Sequence, residues 1–528
     1  MGNPRAAAYI FASCMLALTQ GIAMNMVTVN LPQIQGQLDL SANEASWLAA
    51  AYMAPNVSLA LAMLKVRDVI GLRRFAEISI SIFICVSLTN LWITSLESAL
   101  VTRFFSGMAA APLTSLAMLY MMEAFPQDKK VRLAPPLSLL NTTLGAPVAR
   151  LISPSVLDAG GIYGIVLIDL GMGLIAGGLV LVLPLAKQAP RTTPIVSMDV
   201  LVYLTLAFGL GSIAVVLVLG RPYWWFQAPW LGVTLATGLA LLAVAALLEL
   251  NRKVPMFDLG WIFSPAILRF AAIMLIFRMV VSEQFTGTTM LQALGLQNEQ
   301  LAGLSWMILL SSIAGGLCCA FVMKPGDLAR SSQIHLVALA LLAAGAWLDS
   351  FSTSQTRPQD MMLSQGMIAF ATTMFLPPAM VAGLMAALKH GSNYILSFVV
   401  VFMTTQSLGS LLGSALMGTY VTIREKLHSS YLVEHVTLSD PQVVNEIALL
   451  SGAYAKTLND PVLLQAEGIA VLGRNATREA NILAYNDAFT LIAALAAFAF
   501  TLLLVQTLWK AARARLAAPS KPASADVS

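Results

Sequence analysis

Long apolar runs, repeated along almost the whole chain, constrain this sequence more than any other feature. A helix of about 20 apolar residues crosses the ~30 Å core of a bilayer, and fourteen such stretches can be marked here. The composition agrees, since 58% of the 528 residues are hydrophobic and 11% are charged, against about 25% charged in soluble domains. We therefore predict an all-α integral membrane protein. The predicted spans are 8–30, 46–65, 76–95, 99–123, 133–156, 162–185, 200–219, 228–249, 266–288, 303–323, 333–351, 362–387, 394–421 and 487–508.

Lysine and arginine are distributed unevenly over the loops between these spans. With the N-terminus in the cytoplasm, nineteen cations fall on that side, and the short loops of the other side hold Arg221 and Arg357. Cytoplasmic loops carry an excess of Lys and Arg. The asymmetry predicts a multi-pass protein of the inner (cytoplasmic) membrane with both termini in the cytoplasm. The formal net charge of +4 is too small to indicate nucleic-acid binding.

One predicted outer segment, 424–486, is much longer than the other loops. Asn459-Asp460-Pro461 interrupts it, and the flanking stretches 443–456 and 462–472 have the apolar spacing of helices. We predict a small helical hairpin there, which suggests docking to a periplasmic adaptor (a membrane fusion protein) that leads to an outer-membrane channel. The composition of the last residues, 511–528, predicts a disordered cytoplasmic tail.

Charged residues within membrane spans are costly, so each of them needs a physical reason. Five of them are candidates for a polar pathway or for interhelical ion pairs: Arg103, Arg150, Asp169, Arg278 and Glu283. Several such residues in one polytopic protein favour the pathway. Asp169 and Glu283 are the candidate proton-coupling acids, and the arginines also allow an anionic substrate.

Residue patterns typical of enzymes and cofactor sites are not found in the sequence. The four cysteines lie inside apolar runs, and the four histidines lie at helix ends or in the long outer segment. This pattern favours neither a disulfide framework nor a metal or haem site. A Gly-rich phosphate loop and a nucleophilic triad are also missing. We therefore predict a membrane protein that is not an enzyme and needs no cofactor.

A hydrophilic stretch at 64–74 separates the second and third predicted spans. It holds one acid, Asp68, among cations that include Arg73 and Arg74, with Gly71 at the expected turn. Charge alone predicts a cytoplasmic loop. The alternative is the gating loop of a transporter.

These residues resemble the major facilitator superfamily, specifically its 14-helix drug:proton antiporters of the EmrB/QacA type. Asp68, Gly71, Arg73 and Arg74 fall on the acid, the turn glycine and the basic residues of its motif A. Arg103 with Gly107 is similar to the family's helix 4 motif, and Gly145-Ala146-Pro147 is similar to its helix 5 motif, where the helix bends.

The chain also departs from the family pattern. The acid that family members carry in helix 1 falls on Ala23, and the helix 6 asparagine falls on Asp169. One glycine of the helix 5 pair is Arg150, and motif A's leading glycine is Leu64. The resemblance therefore identifies a divergent member.

The resemblance implies two six-helix bundles with two additional helices between them. The implied division is an N-terminal bundle at 1–186, the additional pair at 187–254, five helices of the C-terminal bundle at 255–423, the outer hairpin at 424–486, the last span at 487–510 and the tail at 511–528. Asp327 would belong to the second-half counterpart of the gating loop.

The implied function is proton-coupled efflux of small amphipathic compounds, as the inner-membrane component of a tripartite system. An exporter of a specific organic anion or siderophore is one alternative. A sensor that keeps the transporter fold without transport is another.

Overall fold

The computed structural model describes residues 4–517, except 187–195, 253–254, 256, 282, 392–393 and 435. The side chains of 60–62, 64, 283–285, 328 and 514–517 also lie outside the described part. Helices are the regular secondary structure of the described residues, apart from two single 3₁₀ turns. The predicted all-α architecture is confirmed.

The first half of the chain forms nine helices within the described residues. They are α1 (Pro4–Val29), α2 (Leu31–Gln37), α3 (Ala42–Ile70), α4 (Leu72–Thr89), α5 (Leu96–Glu123), α6 (Gln127–Thr143), α7 (Gly145–Val182), α8 (Ser197–Leu219) and α9 (Pro229–Leu250).

Nine further helices follow in the described second half. They are α10 (Leu259–Ile262), α11 (Pro265–Val281), α12 (Glu283–Ala293), α13 (Ala302–Val322), α14 (Leu328–Asp349), α15 (Met362–His390), α16 (Tyr394–Glu434), α17 (Pro441–Gly452) and α18 (Pro461–Ala517).

Twelve segments of the described chain are long and apolar enough to cross a membrane, which supports a multi-pass membrane protein. The count of fourteen is not confirmed, for two reasons. Helix α3, predicted as a span, is not among the twelve, and the predicted fifth and sixth spans lie in one segment, 127–182. That segment breaks at Leu144 and turns sharply at Gly161, where φ is +57° and ψ is −133°.

Helices α1 and α3–α7 pack together as an N-terminal bundle. Its core holds the fully buried side chains of Leu16, Phe75, Phe83, Leu113 and Tyr120. The α3–α4 turn is made by Gly71 at φ +85°, a conformation that glycine adopts at little cost. We call this the Gly71 end of the bundle. The opposite end, which holds the turn from α1 to α2, is the Asn30 end.

A C-terminal bundle forms from α11–α16 and α18. The rings of Phe277 on α11 and Phe375 on α15 stack at 3.8 Å in its core. Helices α8 and α9 pack on each other, and α8 also packs against α3 of the N-terminal bundle.

The long segment at the Asn30 end is largely helical. Helix α16 continues to Glu434, α17 packs on the first part of α18, and Asp460 caps α18 by accepting a hydrogen bond from the Val462 N–H at 2.8 Å. The predicted boundary at 487 does not interrupt the chain, because α18 is continuous from Pro461 to Ala517. The predicted tail from 511 is thus helical to 517, and its remainder, 518–528, lies outside the described residues.

Candidate functional site

A cavity of about 280 Å³ lies between the two bundles. Helices α1, α3, α5, α6 and α7 line one side of it, and α11, α13, α15 and α16 line the other. Much of its wall is apolar, with side chains such as Met24, Met53, Phe277, Phe402 and Met403. Ligand sites of this kind bind a molecule through apolar contact and fix its orientation with a few polar groups.

Two arginines line this cavity from opposite bundles. Arg150 belongs to α7 of the N-terminal bundle, and Arg278 belongs to α11 of the C-terminal bundle. Among the described lining residues they are the charged ones, and that set includes no Asp, Glu or His. Arg278 Nε donates to the backbone carbonyl of Gln406 at 3.2 Å. The described cavity wall is therefore cationic.

Two buried donors on this wall lack an acceptor within the described chain, Arg150 Nε and Gln406 Nε2. Several wall hydroxyls donate to their own helices instead, as Thr142 does to the Leu139 carbonyl at 2.7 Å and Thr372 does to the Ile368 carbonyl at 2.8 Å. A buried donor without a partner is costly. The unpaired donors thus favour a bound molecule that supplies acceptor atoms.

The break before α7 positions Arg150. Gly145 opens α7 and lies against Gly21 of α1 so closely that a Cβ on Gly21 would be 2.7 Å from the Gly145 Cα. Pro147 sits in the first turn of α7, where its missing N–H leaves no helical hydrogen bond unmade. This close packing places Arg150, in the second turn of α7, at the cavity wall.

Arg103 and Asp169 lie in a separate buried cluster inside the N-terminal bundle. Their side chains are 5% and 6% exposed, and neither lines the cavity. Arg103 Nη1 donates to the Ala23 carbonyl at 3.1 Å, and its guanidinium carbon lies 4.3 Å from the centroid of the Tyr52 ring. Asp169 lies within electrostatic reach of Arg103.

Each member of this cluster has an unsatisfied atom. Tyr52 Oη, Arg103 Nε and Asp169 Oδ1 are buried without a hydrogen-bond partner in the described chain. No ion pair within 4.0 Å joins Arg103 and Asp169. Protonation of Asp169 would remove a charge from this cluster, in which these three polar atoms have no hydrogen-bond partner within the described chain. The side chain of Glu283, the other predicted coupling acid, lies outside the described residues.

The predicted gating residues lie at the Gly71 end. Arg67 Nη2 is 3.2 Å from Asp68 Oδ1, Arg73 pairs with Glu77 at 2.8 Å, and Arg74 is exposed. Asp327 caps α14 by accepting from the Arg330 N–H at 3.0 Å. A gating role for the loop stays a prediction.

The two bundles also touch at both ends of the cavity. At the Asn30 end, Asn298 Nδ2 approaches the Val29 carbonyl at 3.3 Å and both Asn30 Oδ1 and Ser153 Oγ at 3.4 Å. At the Gly71 end, Arg132 Nη2 donates to the Phe321 carbonyl at 2.6 Å. Sequence reasoning missed Gln406, Ser153 and Asn298 because neutral polar residues in or near spans carry no distinctive spacing.

No protein-family model matches the chain, and no curated protein matches it in sequence. Solved structures do match its fold. The human organic anion transporter MFSD10 (TETRAN) superposes with a TM-score of 0.55 at 12% identity, over 94% of this chain and 100% of that chain. The POT family transporter PepTSo gives 0.54 at 14% identity, over 96% and 99%. The nucleoside transporter NupG gives 0.51 at 14% identity, over 94% and 99%.

The chain shares the fold of these membrane transporters. The cavity with Arg150 and Arg278 lies between the two bundles of that fold. Membership of the EmrB/QacA branch is not confirmed, because identities of 12–14% show the fold and no closer relationship.

Proposed function

We propose that this protein is a secondary active transporter of small amphipathic organic anions, which it binds in the central cavity. The observation that carries the proposal is the pair Arg150 and Arg278, one from each bundle, on a described wall without an acid. Arginine at membrane depth is expensive and typically marks a substrate or ion pathway. The likeness to a human organic anion transporter agrees with this choice, although it shows the fold alone.

The apolar part of the wall suits the body of such a substrate. Met24, Met53 and Met403 are flexible side chains that can adapt to different shapes. The substrate class is thus an organic acid with an apolar or aromatic body. Alternate opening of the cavity would follow from rocking of the two bundles around it.

Proton coupling belongs to the proposal, with Asp169 as the coupling acid. Its burial and its unpaired Oδ1 support the assignment, and so does its position near Arg103. When Asp169 takes up a proton, the attraction to Arg103 is lost and Arg103 is free to make other contacts. The resemblance to drug:proton antiporters points to export as the direction.

The fourteen spans and the membrane orientation are proposals as well. If α3 is added as a span and 127–182 is divided into two spans at Gly161, the twelve candidate segments become fourteen. The cation asymmetry would then place the Gly71 end and both termini in the cytoplasm. The Asn30 end would face the periplasm.

The test of the substrate class is binding to the purified protein. Arg150→Gln and Arg278→Gln should each weaken binding of an aryl carboxylate about ten- to hundredfold, the effect of losing a hydrogen bond to a charged group. Arg269→Gln is the matched control, because Arg269 is also on α11 but is exposed and donates to the Pro265 carbonyl. Isothermal titration with the carboxylate and with a quaternary ammonium ion of equal size gives both affinities.

Tighter binding of the ammonium ion, or unchanged carboxylate binding in both variants, would contradict the anionic substrate class. Carboxylate binding without uptake into liposomes under any ion gradient would instead make the protein a sensor with a transporter fold.

We also propose that the segment 424–486, at the Asn30 end, docks a periplasmic adaptor. Several of its apolar side chains are exposed, with Leu449 at 71%, Val462 at 75% and Leu438 at 63%. Deletion of 441–474 should abolish co-purification of the adaptor and leave anion binding in the cavity unchanged. An epitope tag after Gly452 should be detected from the periplasm. Retained co-purification, or a tag reached from the cytoplasm alone, would refute the docking proposal.

A further inference from the structure

The loop between α8 and α9, residues 220–228, has an unusual backbone. We call it the tryptophan loop. Trp224 and Trp225 have backbone φ angles of +53° and +29°, which residues other than glycine rarely adopt. Such conformations persist where surrounding contacts hold them. The ring of Trp225 packs directly on Gly220, where a Cβ would lie 2.2 Å from it.

The contacts that hold this loop come from α16 of the C-terminal bundle. Trp225 Nε1 donates to Thr419 Oγ1 at 2.8 Å, and Arg221 Nε donates to Thr422 Oγ1 at 3.3 Å. Lys426 Nζ lies 4.2 Å from the centroid of the Trp224 ring. Positions 419, 422 and 426 are spaced three and four apart, so they form one face of α16. The loop therefore binds a continuous stripe of this helix.

The helix pair itself is attached to the N-terminal bundle. Trp47 of α3 stacks on Trp230 of α9 at 5.7 Å, and the Trp47 Nε1 donates to the Oη of Tyr223, which lies in the tryptophan loop, at 3.0 Å. At the far end of the pair, Lys65 of α3 forms an ion pair with Asp199 of α8, whose side chain is buried.

Arg252 completes this charged network at the Gly71 end. It pairs with Asp199 at 2.5 Å and with Glu249 at 3.2 Å. Breaking a buried ion pair by removing one partner is strongly destabilising. Polar contacts at both ends thus fix the pair α8–α9 to α3. Between these ends, Met403 and Leu411 of α16 pack against an apolar cluster that includes Leu210 of α8, and such apolar contacts lack direction.

We propose that the tryptophan loop is a latch that holds the cavity closed at the Asn30 end. The pair α8–α9 moves with the N-terminal bundle, and the tryptophan loop is hydrogen-bonded to α16 of the C-terminal bundle at the Asn30 end. Opening the Asn30 end separates the bundles there, so the contacts to Thr419, Thr422 and Lys426 must break. The inference rests on the alternating opening in the proposed function, but it does not depend on the substrate.

Cysteine accessibility measures this directly. In a background without the four native cysteines, Ser407→Cys places one thiol on the cavity wall. Membrane vesicles that expose the Asn30 end are treated with a membrane-impermeant maleimide. Trp225→Phe keeps a ring but removes the donor, and Thr419→Val keeps the shape but removes the acceptor. Each should raise the labelling rate from this end about fivefold, as expected for one buried hydrogen bond.

The double variant should label no faster than either single variant, because both remove the same bond. Phe226→Ala is the control from the same loop, since its side chain is 98% exposed. Unchanged labelling in both single variants would overturn the latch. Faster labelling from both ends would also overturn it, because the loop would then only support the fold. Loss of anion binding without these changes would concern the proposed function instead.

Discussion

Asp169→Asn is expected to abolish uptake driven by a pH gradient, to the level of protein-free liposomes. The asparagine keeps the shape of the side chain but cannot exchange a proton, so Arg103 would lose its electrostatic interaction with a carboxylate on α7. Anion binding in the cavity should change little, because Asp169 does not line it. Flux in proteoliposomes with and without an imposed pH gradient separates these two effects.

A second substitution should restore coupling. Position 23 lies beside Arg103, whose Nη1 donates to the Ala23 carbonyl at 3.1 Å. Ala23→Asp in the Asp169→Asn background would therefore supply a carboxylate to the same arginine from α1.

Asp158→Asn is the matched control, since Asp158 lies on α7 but is exposed. Coupling that survives Asp169→Asn would eliminate Asp169 as the coupling acid.

Gly107→Ala is expected to destabilise the N-terminal bundle severely. A Cβ there would lie 2.1 Å from the Tyr52 carbonyl oxygen, and this backbone atom cannot move without displacing α3. The Asn56 side-chain amide donates to the Gly107 carbonyl at 3.1 Å and would be displaced as well. Overpacking costs about 1–3 kcal/mol where side chains can adjust. A backbone obstacle should cost at least the upper end of that range.

Gly171→Ala provides the opposite expectation. Gly171 lies in α7 with nothing within 4 Å of the added Cβ, so the change should stabilise the helix by about 0.5–1 kcal/mol. Samples of each purified variant are heated to a series of temperatures, and size-exclusion chromatography measures the folded fraction that remains. This gives the midpoint temperature of thermal unfolding for each variant. If both alanines shifted the midpoint equally, close backbone packing of α3 on α5 would not explain the glycine at 107.

Several features of this protein follow from the sequence. Apolar length identifies membrane helices because the thickness of the bilayer sets one scale for all of them. Gly71 marks the α3–α4 turn, and Asp460 with Pro461 marks the start of α18, because turn and cap chemistry is local. The cost of membrane charge also identified Arg103, Arg150, Asp169 and Arg278 as residues that need partners or a role.

The assignment of these residues to sites required the tertiary structure. Arg150 and Arg278 are far apart in the chain but line one cavity, whereas Asp169, close to Arg150 in sequence, lies in a different cluster with Arg103. In a bilayer, the lipid-facing and protein-facing sides of a helix are both apolar, so periodicity does not reveal which side meets a neighbour. Which side of a helix meets a neighbouring helix depends on close contacts such as that of Gly21 with Gly145, and on hydrogen bonds such as that from Trp225 to Thr419. Such contacts join distant parts of the chain, and only the packing of the helices brings them together.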